Sequence, residues 1–520
     1  MKGLPTQTDF IVVGAGVAGL RAAIELAESG RVLVVTKTDL PQFKADDWKN
    51  EAAWMSDEDE ISLHQQDTLH AGDGLCNPAA VKILIEEGAE RIDELIAWGK
   101  HAGSRLVFEL ENPHTKVRVL HSQGTPTSKE VLRLLFEKAS ALKNISIAPF
   151  VFVTALRVNS GKVIGISVLD DKGTPHDIAC SAVLLASGGL GQIYRNTTNP
   201  ASATGDGLAV AVRAGAEAGN LEFIQFYPTA LHMKKVPHFL LEERLRAEGA
   251  YLRNFELDRF MGKYHPLSER APRDVVSRAI VHEMEVSRAK DAFVYLDLTH
   301  MNAAKVQKHF ARVYETCMAH NIDITEDVIP VRPAAHFCAG GIRTDLEGKT
   351  IVPGLYAAGE VAATGVHGAN RMPSNSLLEA LVYGARAGNS MRETHRGGSH
   401  GDSEPRAAYS NGPVDVGVEE LIGQIQDLMW SEVGIVRMRP GMQKAVKTLE
   451  EMAPKLSHPK TRRAHEAANL HLAALLVARS ALAREESRGA QYRIDYPDHD
   501  DRKFLKHSVV RNDKVLFPLN

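Results

Sequence analysis

The N-terminal stretch DFIVVGAGVAGLRAAIELAESGRVLVVTK constrains the fold of this 520-residue chain more than any other segment. An apolar strand, Phe10 to Val13, runs into Gly14-x-Gly16-x-x-Gly19, and a predicted helix and a second strand follow. Gly14 permits a tight turn, Gly16 lets the backbone approach a pyrophosphate, and Gly19 lets helix and strand pack closely. The glycine pattern is weak alone, but in this strand–turn–helix–strand context it predicts a dinucleotide-binding domain.

Three later segments predict the rest of that domain: AVLLASGGLGQIY (182–194), GDG (205–207) and GLYAAGEVAATG (354–365). The domain is therefore discontinuous, with a long block inserted between its parts. At the end of the second strand Thr36-Lys37 stands where an acid usually binds the adenosine ribose, so that contact is expected to differ. A Gly-, Ser- and Pro-rich stretch (392–413) predicts a linker, and helical periodicity follows it.

Composition excludes several classes of protein. Hydrophobic residues make up 44% and charged residues 24% of the chain, the net charge is −4, and no dense basic block suggests nucleic acid. No apolar run reaches the roughly 20 residues of a membrane span, and the N-terminus lacks an apolar signal core. Four well-separated cysteines without a CxxC pair predict reduced thiols in the cytoplasm, and no metal site is expected.

The stretch HGANRMPSNSLLEAL (367–381) places one cation, Arg371, just ahead of a predicted helix start. A guanidinium matches a carboxylate in two hydrogen bonds, and burying it is costly unless an anion meets it. Ser376 and Glu379 have the spacing of a capping box, and Ser374 or Asn375 could also cap the helix. The residues alone leave open which anion Arg371 meets beside this positive helix end, and a salt bridge to a distant acid is one possibility.

The chain resembles the flavoproteins of the succinate dehydrogenase, fumarate reductase and L-aspartate oxidase superfamily. The shared motifs occur in one order along nearly the whole chain: GAGVAGL, QDTLHAGDGLC, ASGGLGQIYRNTTNP, EFIQFYPTAL, APRDVVSRAI, PAAHFCAGGI and HGANRMPSNSLLEALVYG. LMWSEVGIVR (428–437) and SRGAQYRIDYP (487–497) are most similar to the L-aspartate oxidase branch. The resemblance implies FAD, bound non-covalently because residues 41–54 contain no histidine to carry it.

The expected architecture is an α/β fold with a discontinuous Rossmann-like FAD-binding domain, an inserted α+β capping domain and a C-terminal helical domain. The predicted bounds are 1–221 and 338–392 for the FAD-binding domain, 222–337 for the cap, 393–414 for a linker and 415–520 for the helical domain. Gly340-Gly341 is expected to give backbone freedom at a hinge.

The resemblance also implies an activity. It is FAD-dependent oxidation of L-aspartate, or a similar dicarboxylate, to iminoaspartate, with O2 or fumarate as electron acceptor. This would be the first step of quinolinate and NAD biosynthesis, with a functional link to quinolinate synthase. The alternatives are a relative acting on another amino acid or dicarboxylate, including fumarate reduction, and a non-catalytic paralogue.

The resemblance assigns site residues by motif. The expected catalytic residues are Arg371 on a substrate carboxylate, Arg273 as proton shuttle, His336 and Glu243. The expected substrate-binding residues are Gln225, Tyr227, Glu242, Glu111 and Ser374. The expected FAD-binding residues are Gly14, Gly16, Ala18, Gly19, Lys37, Gly188, Gly189, Asp206, Glu360, Ser376 and Leu377. Pairing of Arg273 with Asp274, and a solvated face for Glu111, are the alternatives.

The chain departs from the superfamily pattern at the flavin and substrate shells. The glycine-containing segment near the flavin is replaced within 42–54 by Phe, Lys, Trp, Asn and Glu. Tyr227 stands for a histidine, Glu242-Glu243 for Thr-Glu, residues 125–128 for Asp-Ala-Thr-Gly, and Gln491 for a histidine. A second carboxylate facing a dicarboxylate would repel it unless it turned away or met a cation. Either the substrate differs, or activity is reduced or lost, or local rearrangement compensates.

Overall fold

A computed structural model describes residues 3–40, 52–53, 61–100, 106–109, 119–122, 127–233, 239–289, 291–395 and 417–518. Its helices are α1 (Val17–Leu26), α2 (Ile61–Ala71), α3 (Pro78–Lys100), α4 (Thr127–Ala141), α5 (Asp206–Arg213), α6 (Glu243–Ala247), α7 (Arg273–Ser287), α8 (Ala303–His309), α9 (Ala311–Met318), α10 (Asn375–His395), α11 (Val418–Glu432), α12 (Arg439–Met452), α13 (Arg462–Ala483) and α14 (Asp501–Phe504).

The strands follow the same chain order. They are β1 (Phe10–Val13), β2 (Val32–Val35), β3 (Ala52–Ala53), β4 (Leu106–Glu109), β5 (Val119–Ser122), β6 (Ile145–Ala148), β7 (Phe152–Asn159), β8 (Lys162–Leu169), β9 (Pro175–Ala179), β10 (Ala182–Leu185), β11 (Ala218–Gly219), β12 (Ile224–Leu231), β13 (Tyr251–Arg253), β14 (Val294–Asp297), β15 (Ile329–Cys338), β16 (Gly341–Arg343), β17 (Leu355–Ala357), β18 (Ala362–Ala363), β19 (Val509–Arg511) and β20 (Lys514–Leu516).

A parallel sheet of order β17-β10-β1-β2-β6 forms the centre of the first domain. Phe10 lies opposite Ala182 on one side and Val32 on the other. Nearly all residues of the central strands are buried, as expected for a parallel sheet covered on both faces. The structure therefore confirms the predicted Rossmann-like sheet and shows that strands from three distant segments build it.

Small residues let α10 pack closely on α1. A Cβ atom added at Gly384 would lie 2.7 Å from the backbone oxygen of Ala18, and one at Gly388 would lie 2.8 Å from that of Ala22. Ala18 itself is 6% exposed and lies in this contact. The close approach fixes the start of α1 relative to the start of α10.

The inserted block is built on an antiparallel sheet of order β12-β15-β14-β13, on which α7 packs, while α6, α8 and α9 contribute to the same apolar core. Its own apolar core includes Leu231, Leu252, Val276, Val294, Phe310 and Val313. The first and last strands of this sheet, β12 and β15, are paired and carry the chain into and out of the block. The block is an α+β unit, as predicted, while the exact domain bounds stay a prediction.

The glycine pair at the return of the chain is packed more tightly than expected of a hinge. A Cβ atom at Gly340 would lie 2.3 Å from backbone atoms of Asn220, and one at Gly341 would lie 2.3 Å from the Val361 oxygen. These glycines therefore serve close backbone approach, and a hinge at this point stays a prediction.

The C-terminal part is mainly helical, with α12 and α11 packed on α13. It ends, however, in the hairpin β19-β20, which joins β11 in a sheet of order β18-β16-β11-β19-β20. The predicted helical domain thus contributes two strands to a sheet whose other members belong to the first domain. Helix α10 runs to His395, into the start of the predicted linker, and residues 396–416 lie outside the described residues. None of the helices in the described ranges is long and apolar enough to cross a membrane.

Candidate active site

A cavity of about 600 Å³ lies at the carboxyl ends of the parallel strands. Its walls include the β1–α1 turn (13–17), the end of β2 (35–39) and the residues after β10 (186–189). In open α/β sheets, ligands bind in the crevice outside the carboxyl ends of the strands. The position of the cavity is therefore that of a cofactor site.

The glycines of this cavity fit a dinucleotide. Gly14 has φ 117° and a Cβ atom there would lie 2.2 Å from the Ala186 oxygen, so the turn requires glycine. A Cβ atom at Gly16 or Gly188 would meet nothing within 4 Å, and both residues line the cavity. No side chain caps α1 at Gly16, which leaves first-turn N–H groups for a phosphate. The residues present therefore fit the diphosphate of FAD.

Lys37 and Asp206, each predicted to contact FAD, line the cavity and bind each other. The Lys37 ammonium lies 2.6 Å from Asp206 Oδ2 and 3.2 Å from Glu466 Oε1. Asn469 donates to Asp206 Oδ1 at 2.8 Å. Glu466 and Asn469 lie on α13, so the helical domain supports this wall of the cavity. Sequence reasoning missed both, because nothing local relates α13 to Lys37.

The remaining predicted FAD residues divide into two groups. Gly189, Glu360, Ser376 and Leu377 line the cavity, whereas Ala18 and Gly19 are not among its lining residues and instead pack α1 on its neighbours. Burial raises the pKa of Glu360 to about 7, against the opposing effects of the Cys338 N–H group and the Arg371 charge. The Cys338 N–H group donates to Glu360 Oε1 at 3.2 Å.

Arg371 lines the cavity at the start of α10 and is 4% exposed. Its Nη1 donates to Ser376 Oγ at 2.7 Å, and its Nε and Nη2 donate to Gln225 Oε1 at 3.3 and 3.2 Å. The guanidinium also lies 4.5 Å from the centre of the Phe337 ring. These contacts hold the planar group in one orientation beside the cavity.

The predicted capping box at the start of α10 is wrong. The helix begins at Asn375, one residue before Ser376, whose hydroxyl accepts from Arg371. The Glu379 carboxylate bonds Thr364 and His367 instead of the helix start. Glu379 thus ties the helix to the preceding loop, which carries Arg371.

One amide oxygen joins the two arginines predicted to bind substrate. Gln225 Oε1 accepts from Arg371 and, at 3.3 Å, from Nη1 of Arg273. Its Nε2 donates to Asn370 Oδ1 and to the Arg371 carbonyl, both at 2.8 Å. Arg273 comes from the cap and Arg371 from the first domain. Gln225 therefore brings together guanidiniums from positions far apart in the chain.

Arg273 pairs with Glu243 and not with its neighbour Asp274. Its Nε and Nη2 lie 2.8 and 2.7 Å from Glu243 Oε2, while Asp274 binds Arg278 at 2.9 Å. Arg246 binds the other oxygen of Glu243 at 2.8 Å. The alternative of an Arg273–Asp274 pair is therefore wrong, and Glu243 is the middle member of a guanidinium–carboxylate–guanidinium row.

The charge of Glu243 follows from that row. Burial would raise its pKa, but the charges and hydrogen bonds of Arg273 and Arg246 outweigh burial and hold the pKa below its ordinary value. The carboxylate is ionised at neutral pH and faces two cations. The repulsion of a dicarboxylate that the sequence suggested concerns the additional carboxylate of Glu242, and it stays a prediction.

His336 and Tyr227 complete this end of the site. His336 lines the cavity, and its Nδ1 lies 2.9 Å from Thr198 Oγ1. Burial, and then the charges of Arg371 and Arg273, lower the pKa of His336 well below its ordinary value, so the imidazole is neutral. The Tyr227 hydroxyl donates to the Leu241 carbonyl at 2.8 Å, and its ring lies 5.1 Å from the Arg273 guanidinium. The Tyr227 hydroxyl proton is therefore engaged in a hydrogen bond within the protein, and the Tyr227 ring contacts the Arg273 guanidinium.

Other predicted residues lie elsewhere or outside the described ranges. Glu242 precedes α6 as its N-cap residue, and Ser374 is buried with φ 68° just before α10. Glu111 and all of the 42–54 segment except Ala52–Ala53 fall outside the described residues. Two cations that sequence reasoning missed, Lys129 and Arg312, line the cavity.

The fold and the site together define a class of protein: FAD-dependent oxidoreductases with a capping domain inserted into a Rossmann-like domain. Family models agree, since "FAD binding domain" matches residues 9–377 and "Fumarate reductase flavoprotein C-term" matches residues 423–516. Among solved structures, an E. coli quinol fumarate reductase matches with a TM-score of 0.86 at 28% identity, covering 98% of this chain and 96% of that one. Mycobacterium smegmatis Sdh1 matches with a TM-score of 0.84 at 30% identity, covering 98% and 94%.

Curated relatives narrow the class to one family. The L-aspartate oxidase of Synechocystis is 38% identical, and the alignment covers 98% of both chains. The L-aspartate oxidase of Pseudomonas aeruginosa is also 38% identical, covering 95% of this chain and 96% of that one. The chain therefore belongs to the L-aspartate oxidase family of FAD-binding flavoproteins, and the predicted family, fold class and cofactor are confirmed.

Proposed function

We propose that this protein is an FAD-dependent L-aspartate oxidase, which oxidises the Cα–N bond of L-aspartate to give iminoaspartate. The observation that carries the proposal is the convergence of Arg371 and Arg273 on Gln225, beside a neutral His336 and a cavity that fits FAD. Full-length similarity to curated L-aspartate oxidases supports the choice of substrate. Oxidation removes a hydride from Cα and a proton from the amino group of the substrate, and the two must leave by separate routes.

The residues at the arginine end bind and orient the substrate. Arg371 presents its guanidinium at the cavity wall, where it binds one carboxylate of the substrate. His336, neutral and fixed through Thr198, donates a hydrogen bond without adding charge. FAD, held by the glycine turns and Glu360, supplies the two-electron acceptor when bound.

Arg273 and Glu243 remove the proton that oxidation releases. A guanidinium with a pKa above about 12 is a poor base alone, so it needs a partner that takes up its proton. The Glu243 carboxylate, 2.7 Å from Arg273 Nη2, is that partner, and Arg246 binds its other oxygen and continues the row. As Arg273 takes up the proton from the substrate, it gives one of its own N–H protons to Glu243 Oε2, so that the guanidinium keeps a single positive charge.

The finer assignments are part of the same proposal. O2 or fumarate takes the electrons, and similarity to solved fumarate reductases supports fumarate as an acceptor. The enzyme acts in the cytoplasm and supplies iminoaspartate to quinolinate synthase. A genomic neighbour encoding quinolinate synthase would support that link.

The test is a flavin spectrum of the purified, FAD-reconstituted protein. A band near ~450 nm that bleaches on anaerobic addition of L-aspartate, and returns with air or fumarate, is the expected result. Bleaching only by another amino acid or dicarboxylate would favour the second candidate, for which Tyr227 in place of the family's histidine is the specific observation. A protein that cannot be reconstituted with FAD would contradict both.

A further inference from the structure

The helical domain reaches the wall of the cavity through one face of α13. Glu466, Asn469 and Ala473 are three and four residues apart on this helix, so they share that face. A Cβ atom added at Gly205, in the turn before α5, would lie 2.9 Å from the Ala473 Cβ atom. This face of α13 therefore lies against the start of α5, where Asp206 is the first helical residue.

The Lys37 ammonium joins the end of β2 to both helices. It donates to Thr204 Oγ1 at 2.7 Å, to Asp206 Oδ2 at 2.6 Å and to Glu466 Oε1 at 3.2 Å. An ammonium has three N–H donors, so these bonds use all of them. Lys37 lines the cavity two residues after β2, a place that lies beside the adenosine ribose in Rossmann-like domains. The ammonium thus fixes this wall of the cavity from within the protein.

Asn469 fixes the other oxygen of Asp206. Its Nδ2 donates to Asp206 Oδ1 at 2.8 Å, and its Oδ1 accepts from Arg213 Nη1 at 2.5 Å. An ionised carboxylate only accepts and a guanidinium only donates, so the two partners set the orientation of the amide. Asp206 is therefore held on one oxygen by α13 directly, and on the other by Lys37, which α13 also binds.

Glu466 is itself held in place on α13. Arg463 donates to its Oε2 at 3.0 Å, and its side chain is 10% exposed. Burial would raise the pKa of Glu466, but the Lys37 charge, a hydrogen bond from Arg463 and the Arg462 charge hold that pKa below its ordinary value. The carboxylate is therefore ionised at neutral pH and pairs with the ammonium.

We propose that Glu466 and Asn469 are positioning residues for FAD, which act on the cofactor through Lys37 and Asp206, so that the helical domain sets the affinity of the first domain for FAD. The inference deepens the proposed function and rests on it only for the cofactor. A lysine side chain loses much rotamer freedom when it is ordered, and a site that is already ordered binds its ligand without that cost. Without the contacts of α13, FAD has to order this wall as it binds.

The experiment measures the dissociation constant of FAD for the full-length, FAD-free protein by fluorescence titration. Glu466→Gln is expected to weaken FAD binding about tenfold, as for the ordering of one long side chain. The loss of a negative charge alone would strengthen binding, because the diphosphate of FAD is anionic. Asn469→Leu, which changes no charge, is expected to weaken FAD binding about threefold or more.

A double variant shows whether Glu466 acts through Lys37. Lys37→Met is expected to weaken FAD binding at least as much as Glu466→Gln, and the double variant should bind FAD no more weakly than Lys37→Met alone. Glu419→Gln is the matched control, because Glu419 also binds Arg463 of α13 but lies on α11 with a side chain that is 71% exposed. It should leave the FAD affinity within about twofold of that of the unsubstituted protein.

Three results would overturn the inference: an unchanged or stronger FAD affinity in Glu466→Gln, additive losses in the double variant, or an equal loss in Glu419→Gln. Circular dichroism and Tm of each FAD-free variant show whether it is folded, and Glu466→Asp, with its shorter stem, carries the same cycle if Glu466→Gln is not. FAD binding that depends on Glu466, without bleaching by L-aspartate, would overturn the proposed function and leave this inference standing. Bleaching by L-aspartate with an FAD affinity independent of Glu466 would do the reverse.

Discussion

At the scale of the residue, Glu243 shows how environment decides the role of a carboxylate. It lies beside Glu242 in the chain, yet Glu243 is held between two guanidiniums while Glu242 begins α6. A carboxylate accepting hydrogen bonds from two cations stays ionised and can receive a proton only through one of them. The pair therefore offers two adjacent glutamates with different expected effects on activity.

Glu243→Gln is expected to lower kcat about 10²-fold or more, since a positioned proton acceptor contributes that much to catalysis. KM for L-aspartate should change less, because Arg371 is untouched. Steady-state kinetics of the reconstituted enzyme measure both values. Glu242→Gln is the matched control and should stay within about threefold of the unsubstituted enzyme. A Glu243→Gln enzyme with unchanged kcat would remove Glu243 from the proton route.

Glu360 predicts a pH dependence of stability in the cofactor-free protein. Its folded pKa is about 7, above the ordinary value of 4.5, so the folded state holds a proton that the unfolded state has lost. The stability from this proton is complete below about pH 4.5 and is lost as pH rises through about 7. Glu360→Gln removes the dependence, so Tm of the variant relative to wild type should be higher at pH 8 than at pH 5. A pH-independent difference in Tm would contradict the shifted pKa.

The place of Arg371 at the cavity was more predictable from sequence than the hydrogen-bond partners of the predicted site residues. Arg371 stood out because its own neighbours carry no acid, and the structure places it at the cavity. The partner of Arg273, 30 residues away, depends on how α6 packs beside α7 in the cap. The pair of Lys37 with Glu466 spans 429 residues, and no local pattern encodes it.

At the scale of the element, α10 is the helix on which the site depends. Its start is fixed by Asn375, which is fully buried and bonds Thr68 and His64 at 2.9 Å. Its middle is fixed by the glycine contacts with α1. Since α1 begins at the diphosphate turn and α10 begins beside Arg371, their packing sets the distance between cofactor and substrate ends.

Gly384→Ala tests this packing. The new Cβ atom would lie 2.7 Å from the Ala18 oxygen, so one helix must move, at a cost of about 1–3 kcal/mol. Tm should fall and FAD should bind more weakly, as measured by thermal unfolding and flavin titration. Gly423→Ala on α11 is the control, because its Cβ atom meets nothing within 4 Å and alanine favours a helix. Equal effects of the two substitutions would show that the α1–α10 contact tolerates change.

Strands and helices were predictable where a local sequence pattern specifies them. They were missed where pairing with a distant strand specifies them. The apolar runs of β1 and β2 and the glycine turn between β1 and α1 have the expected places. The hairpin β19-β20 was missed because its strands have three residues each and β19 is paired with β11, nearly 300 residues earlier. Strands this short carry no periodic signal of their own.

At the scale of the whole molecule, one buried cluster of hydrogen-bonded residues around Glu222 connects the three parts of the chain. Glu222 lies between β11 of the first domain and β12 of the cap, and it is fully buried. Arg484 at the end of α13 binds Glu222 Oε1 at 2.7 Å, and the Ser508 hydroxyl binds Oε2 at 2.7 Å. Arg437 donates to the Glu222 carbonyl at 2.7 Å. A fully buried ion pair is destabilising to break, because it leaves a charge in the interior.

Because the cluster around Glu222 shares one carboxylate, we expect substitutions of its residues to have coupled effects on the free energy of unfolding. Glu222→Gln should lower the unfolding free energy by about 3 kcal/mol, since Arg484 keeps a second carboxylate in Glu486 but loses one partner. Ser508→Ala should cost about 1–2 kcal/mol through its bonds to Glu222 and to the Asn220 N–H group. Because both act on the same carboxylate, the double variant should lose less than the sum of the two single losses.

Thermal and denaturant unfolding of the four proteins, all free of FAD, gives the coupling directly. Glu420→Gln, at an exposed position of α11, should change neither Tm nor the effect of Ser508→Ala. Additive losses from Glu222→Gln and Ser508→Ala would mean that the C-terminal hairpin and α13 hold the first domain independently. Coupled losses would mean that they hold it through Glu222, at the point where the chain enters the cap, so that the helical domain helps to set where the cap lies over the cavity.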